Sequence, residues 1–137
     1  MKVVILKNPN EQNIADILNL FRDIKGRTCS AKAFLTYLDA CWSDICLVGI
    51  LDGESVVGFT VATRPSILEP KIGRLPFSSV KKGVKQTYVQ QGLVLAEQWF
   101  RECGAEKYYF ESVRSAKALK RAFDMVPSKE VIYEKYI

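Results

Sequence analysis

The sequence contains no histidine among its 137 residues. This absence excludes a Ser-His or Cys-His nucleophile pair and any metal site built on histidine ligands. Proton transfer in an active site would have to use a carboxylate, a tyrosine, a thiol, an amine or water.

Paired cysteines are also missing, because the four cysteines (Cys29, Cys41, Cys46 and Cys103) form no CxxC motif. Structural zinc sites need such pairs, so we expect no metal. The even count would allow disulfides, but the first residues show no secretory signal pattern. We therefore expect reduced thiols and a cytoplasmic protein.

No apolar run approaches the ~20 residues that a membrane span needs, so we expect no membrane association. Repeats, low-complexity tracts and linker-like stretches are absent as well. The length, with 48% hydrophobic and 26% charged residues, is typical of one folded domain covering residues 1–137. The net charge of +5 favours an anionic partner, which could be nucleic acid, a phosphorylated cofactor or an acidic protein.

The first part of the chain predicts a strand at residues 3–6 and then two helices. Asn8 and Pro9 indicate the start of the first helix, and Glu11 stands where it would complete a capping box with Asn8. Ser30 is a suitable cap for the second helix.

The middle of the chain carries the strongest local signal. Asp52-Gly53 separates two apolar runs, residues 45–51 and 56–62, and this dipeptide is typical of a tight hairpin turn. Residues 72–80 predict a further strand, in which Pro76 indicates an edge, a bulge or an interruption.

The last part predicts alternating helices and strands, so that the whole order is β-α-α-β-β-β-α-β-α-β. The predicted elements are a long helix at 86–103, a strand at 108–113, a fourth helix capped by Ser115, and a final strand at 131–137.

This order resembles the GNAT superfamily of N-acetyltransferases over essentially the whole chain, and implies an α+β fold with a mixed central sheet and about four helices. The resemblance is carried by the hairpin LVGILDGESVVGFTVA, the helix and strand AEQWFRECGAEKYYFESV, the helix SAKALKRAFDMV and the tail KEVIYEKYI.

The resemblance implies that the fourth and fifth strands splay apart and hold an acyl-coenzyme A. In the family, backbone N–H groups after the fourth strand bind the pyrophosphate, as free N–H groups at a helix start do generally. The matching stretch here is VKKGVKQTY, which departs from the usual Q/R-x-x-G-x-G/A pattern and keeps one glycine. The predicted cofactor-binding residues are Val80, Lys82, Gly83, Val84, Lys85, Gln86, Thr87 and Ser115.

Two residues are candidates for catalysis. Val80 matches the family residue whose backbone N–H points at the thioester carbonyl. Glu111 is positioned to act as a base through water, or else is a solvent-facing strand residue. Phe123 stands in the region where the family often has a tyrosine that protonates the leaving thiolate.

The resemblance therefore implies an acetyl-CoA-dependent N-acetyltransferase with an unidentified amine acceptor, and a homodimer is left open. The alternative is a GNAT-like binding or structural module without activity, of a kind that also occurs in viral and mobile-element genomes. Nucleic acid is suggested by the charge alone, and we do not expect it as a partner because the aromatics are not interleaved with basic residues.

Overall fold

The computed structural model describes residues 1–111 and 116–137. Within these ranges the chain forms five strands and four α-helices, in the predicted order as far as the fourth helix. The strands are β1 (Lys2–Ile5), β2 (Ile45–Asp52), β3 (Ser55–Thr63), β4 (Ile72–Val80) and β5 (Lys107–Phe110). The helices are α1 (Glu11–Arg22), α2 (Ala31–Ala40), α3 (Gln86–Glu102) and α4 (Ala116–Phe123).

The five strands form one mixed sheet in the order β1-β2-β3-β4-β5. The first three pairs are antiparallel, whereas β4 and β5 are parallel. Parallel neighbours need a crossover connection, and α3 supplies it. The start of α3 therefore follows the C-terminal end of β4 after a short turn. None of the helices in the described ranges has the length and apolar character needed to cross a membrane.

Alternate side chains of the strands pack into two cores on opposite faces of the sheet. In β2, Leu47 packs among residues of α1 and α2, while Cys46 and Val48 pack against α3. The rings of Phe21 and Phe34 stack in the first core with centroids 4.2 Å apart. Because both faces are covered, the central strands are apolar along almost their whole length.

The start of α1 differs from the prediction. Asn10 is the N-cap, and its side chain accepts a hydrogen bond of 2.8 Å from the N–H of Asn13. The side chain of Asn13 accepts one of 3.0 Å from the N–H of Asn10. The predicted capping box of Asn8 and Glu11 is wrong, because the asparagine at the third helical position supplies the returning oxygen instead of a glutamate.

The predicted hairpin is confirmed, since β2 and β3 pair antiparallel on either side of the turn. Gly53 has a φ of 63°, a conformation that this type of turn requires and that glycine adopts without strain.

Pro76 lies at a bulge in β4, one of the three outcomes predicted for it. The register with β3 shifts between Val61 and Thr63, so that Leu75 and Pro76 together stand opposite Ala62. Proline has no N–H to donate, so it is tolerated where the ladder is interrupted.

The predicted final strand is not formed. Residues 131–137 have no regular secondary structure, and their apolar side chains are exposed, Ile132 to 83% and Tyr133 to 90%. Alternating apolar residues form a strand only when a sheet edge pairs with them. Within the described residues, β5 has only four residues and pairs with β4 alone.

Candidate active site

The site begins where β4 and β5 part. Their pairing ends at Leu75 and Phe110, and β5 ends with Phe110. Strand β4 continues beyond this point to Val80 and remains paired with β3 on its other side. On this side β4 has no strand partner from Pro76 to Val80 among residues 1–111 and 116–137, and we call this open edge the gap.

Hydrogen bonding along β4 determines which backbone groups face this gap. The N–H of Lys81 donates to the carbonyl of Val57 at 2.8 Å, so this position is a hydrogen-bonded one of the ladder. In an antiparallel ladder such positions alternate with positions whose backbone groups point away from the partner strand. Val80 and Ser78 are positions of the second kind, so their N–H and C=O groups point towards the gap.

The gap is part of a cavity of about 490 Å³. On one face of the sheet the cavity is lined by β2 and α3 residues such as Val48, Gly92 and Leu93. It also reaches the end of α1 at Ile24, which lies on the other face. The cavity therefore has lining residues from both faces of the sheet, beside the unpaired part of β4.

The polar groups of the cavity are few and stand in a largely apolar lining. Thr60 on β3 and Ser78 on β4 share a hydrogen bond of 2.5 Å between their hydroxyl oxygens. Asp23, Lys25 and Glu111 line the cavity with exposed charged side chains. A pocket of this kind is typical of a small-molecule site, in which a few polar groups fix the orientation of a ligand.

From Val80 the chain leads into an exposed basic turn before α3. Lys81, Lys82 and Lys85 are exposed, and Gly83 has a φ of 94° with space for a Cβ around it. Lys85 is the N-cap of α3, and within the described residues its side chain makes no capping hydrogen bond. The first N–H groups of α3 and the lysine charges both favour an anion at this place.

Helix α4 lies close to the start of α3. The side-chain amides of Gln86 and Gln90 both donate to the carbonyl of Ala122, each at 3.2 Å. After α4, Met125 lines the cavity. Met125, two residues after the end of α4, thus forms part of the wall around the candidate site.

The structure brings together the two residues predicted for catalysis, because Val80 and Glu111 both line the cavity. Thr87 is separated from them and lies in a shallow groove beside Val3. Ser115 lies outside the described residues. The other predicted residues follow Val80 along the turn and the first position of α3, namely Lys82, Gly83, Val84, Lys85 and Gln86.

Sequence reasoning did not select several residues that line the cavity. Thr60 and Ser78 were detectable in principle, since each is a polar residue in a strand that is otherwise largely apolar. Asp23, Lys25 and Met125 carried no such signal, because they lie far from β4 in sequence and only the packing of α1 and α4 brings them to the cavity. In residues 1–111 and 116–137 no group of three or more acidic or thiol side chains could hold a metal ion.

None of the protein-family models matches the chain, and no curated protein matches it by sequence. Solved structures do match it. An aminoglycoside 6'-N-acetyltransferase of Acinetobacter haemolyticus has a TM-score of 0.75 at 13% identity, covering 100% of this chain and 99% of that one. A GNAT family acetyltransferase of Staphylococcus aureus has a TM-score of 0.67 at 12% identity, covering 99% and 100%.

A third match is an aminoglycoside acetyltransferase from a soil metagenome, solved with sisomicin, with a TM-score of 0.65 at 16% identity over 99% of this chain and 95% of that one. At these identities the matches are informative about architecture. Together with the parting of β4 and β5 and the α3 crossover, they establish that this chain has the fold of the GNAT acetyltransferases.

Proposed function

We propose that the protein is an acetyl-CoA-dependent N-acetyltransferase that transfers the acetyl group directly to an amine. The observation that carries this proposal is the gap beyond the paired part of β4 and β5, which opens into a cavity lined from both faces of the sheet and has a lysine turn at the end of β4. A long thin molecule with phosphates at one end and a thioester at the other matches this shape and charge.

The phosphates of the substrate would lie at the turn and the first N–H groups of α3, beside Lys82 and Lys85. The amide-containing arm would lie in the gap, where the backbone groups of Ser78 and Val80 stand free of β3 and can bond to it as a neighbouring strand would. The turn before α3 has one glycine, Gly83, and the lack of a second one limits how closely the backbone approaches the phosphates. The lysine charges therefore supply more of the attraction.

In the reaction, the nitrogen of a neutral amine attacks the thioester carbonyl carbon. A carbon–nitrogen bond forms, the carbon–sulfur bond breaks, and the products are an amide and coenzyme A. The N–H of Val80 would donate to the carbonyl oxygen as negative charge develops on it. Glu111 would accept the proton of the attacking amine through water, and that proton is balanced by the one gained by the thiolate.

The acceptor is proposed only as a primary amine. Two of the three structures described above are aminoglycoside acetyltransferases, which makes aminoglycosides a reasonable first group to assay. The homodimer and the cytoplasmic location remain predictions, as does the single domain covering residues 1–137.

A second candidate is a binding module that holds the thioester without transferring the acetyl group. It is favoured by Phe123 on α4, which has no hydroxyl with which to protonate a leaving thiolate. Loss of such assistance lowers a rate by about 10²–10⁴-fold, so a slow enzyme and an inactive one remain distinct outcomes.

The test is release of free thiol from acetyl-CoA in the presence of a panel of amines, with the acetylated product identified by mass. The Val80→Pro variant removes the N–H that faces the gap but breaks no bond to β3, and we expect kcat/KM to fall about 10²–10³-fold. Val80→Ala is the matched control, because it shortens the side chain and keeps the N–H. Equal activity of the two variants would remove Val80 from the mechanism.

A further inference from the structure

The hydroxyl pair of Thr60 and Ser78 is created by the ladder itself. The two residues stand directly opposite each other in the register of β3 and β4. They occupy a position whose backbone groups point away from the partner strand, and side chains approach most closely at such positions. Their hydroxyl oxygens are 2.5 Å apart, with either able to donate.

The pair stands in largely apolar surroundings, with Thr60 buried and Ser78 half-buried. Thr60 is only 8% exposed, and the cavity lining around the two hydroxyls includes Val48, Ile50 and Phe110. A hydroxyl in such a place is costly unless it forms hydrogen bonds. Nothing in the packing of the sheet requires two hydroxyls here, since the rest of this face of β2, β3 and β4 is apolar.

The two hydroxyls can donate one further hydrogen bond. Two hydroxyls carry two hydrogens, and the contact between them uses one. The oxygen of Thr60 has a second acceptor within reach, the carbonyl of Phe77, but at 3.4 Å this is a weak bond. When Thr60 donates to Ser78, the hydrogen of Ser78 is free to point into the cavity.

We propose that Ser78 donates this hydrogen bond to the acyl carbonyl of the thioester substrate and that Thr60 is the positioning residue that orients it. This inference rests on the function proposed above and adds a side-chain donor to it. The N–H of Ser78 points to the same gap, so one residue presents two donors to the deep end of the cavity. Donors fixed in a water-poor site favour the charge that develops on the carbonyl oxygen.

The proposal is tested by comparing the affinities of acetyl-CoA and free coenzyme A by calorimetry. We expect Ser78→Ala to weaken acetyl-CoA about three- to tenfold, the usual effect of one lost hydrogen bond, and to leave coenzyme A unchanged. In turnover, kcat should fall more than KM rises, because the bond strengthens in the transition state.

Thr60 supplies the second arm of the test. Thr60→Val keeps the volume but removes the orienting hydroxyl, and we expect a loss in kcat that Thr60→Ser restores. Thr63→Val is the matched control, since Thr63 is on the same strand and its hydroxyl donates to a β4 carbonyl, that of Arg74 at 3.4 Å, outside the cavity.

The outcomes separate this inference from the proposed function. If the wild type turns over acetyl-CoA and Ser78→Ala leaves the ratio of the two affinities unchanged, the inference is overturned and the proposed function stands. A wild-type protein that neither binds nor uses acetyl-CoA would overturn both. If Ser78→Ala does not fold, the two Thr60 variants provide the test. Equal activity of Thr60→Val and Thr60→Ser would contradict a positioning role.

Discussion

At the residue scale, Gly73 on β4 lies against the ring of Phe100 on α3. A Cβ at this position would lie 2.3 Å and 2.4 Å from two ring carbons. The ring has little room to move, because Phe100 is 3% exposed and stacks on Tyr108 with centroids 5.2 Å apart. The absence of one side chain thus allows α3 to pack closely on the sheet beside β5.

We expect Gly73→Ala to lower the free energy of unfolding by about 1–3 kcal/mol, the usual cost of overpacking a core. The matched control is Gly92→Ala in α3, where a new Cβ would lie at 3.7 Å from both Val3 and Val48. Alanine is the better helix former, so this variant should gain up to about 1 kcal/mol. Urea unfolding measures both, and equal stabilities of the two variants would contradict the packing described for Gly73.

Two weak acids, the buried Cys46 and the half-buried Tyr37, make the stability depend on pH in the alkaline range. Burial raises the pKa of the Cys46 thiol from 9.0 to about 11, with nearby Cys103 adding to the effect. Burial also raises the pKa of Tyr37 from 10.0 to about 12, with Cys41 adding to it. In both cases folding favours the protonated form, so the unfolded chain loses its protons at lower pH than the folded one.

The stability that these two groups contribute is therefore complete below about pH 9 and is lost as the pH rises towards 11 and 12. We expect the urea midpoint to be steady from pH 7 to 9 and to fall above pH 9. The urea midpoint of the Tyr37→Phe variant should fall less steeply above pH 10. A midpoint that rises with pH in this interval would show that the sign is wrong.

At the scale of elements, the side chain of Asp16 adds a hydrogen bond to the apolar packing of helix α1 on the sheet. The carboxylate of Asp16 accepts a hydrogen bond of 3.0 Å from the backbone N–H of Val56 at the start of β3. Val56 is 1% exposed, so without Asp16 its N–H would have to find another acceptor in a buried place. This contact helps to fix the end of α1, where Asp23 and Lys25 line the cavity.

We expect Asp16→Ala to lower the free energy of unfolding by about 1.5–3 kcal/mol, the range for a hydrogen bond to a charged group. Asp16→Asn retains an acceptor oxygen and should recover part of this loss. The measurement is the free energy of unfolding in urea, and a fully stable Asp16→Ala variant would show that the contact does not hold α1.

The elements also show where sequence reasoning succeeds. The hairpin at Asp52-Gly53 was predictable because turn residues and the β-branched runs beside them act locally. The bounds of β4 were predictable because turn and loop residues flank it on both sides. The N-cap of α1 was missed because Asn8 and Asn10 are both suitable N-cap residues. Which of them begins the helix depends on the side chain of Asn13. The final strand was wrong because a strand needs a partner as well as a pattern.

The candidate site was predictable where it depends on chain order. A turn after β4 has to lead into the crossover helix, so Val80 and the lysine turn follow from the sequence once the fold is assumed. The pairing of Thr60 with Ser78 was not predictable, because a shift of one residue in the register would separate the two hydroxyls. The bulge at Pro76 sets that register, and no local pattern specifies how far it shifts.

At the scale of the whole molecule, three features of the fold together form the candidate site. The crossover places the start of α3 after β4, the end of β5 at Phe110 leaves the gap, and the two helical layers keep the cavity apolar. The net charge of +5 adds a field that favours a ligand with several phosphates. The proposed function therefore depends on this cavity and turn binding an acyl-coenzyme A.

Thermal melting with and without acetyl-CoA tests that dependence most directly. A ligand that binds only the folded state at about 100 times its Kd adds roughly 2.7 kcal/mol, which raises Tm by several degrees in a protein of this size. We predict such a shift for the wild type and a clearly smaller one for Lys82→Glu combined with Lys85→Glu. No shift at millimolar acetyl-CoA, or an equal shift in the double variant, would contradict the account.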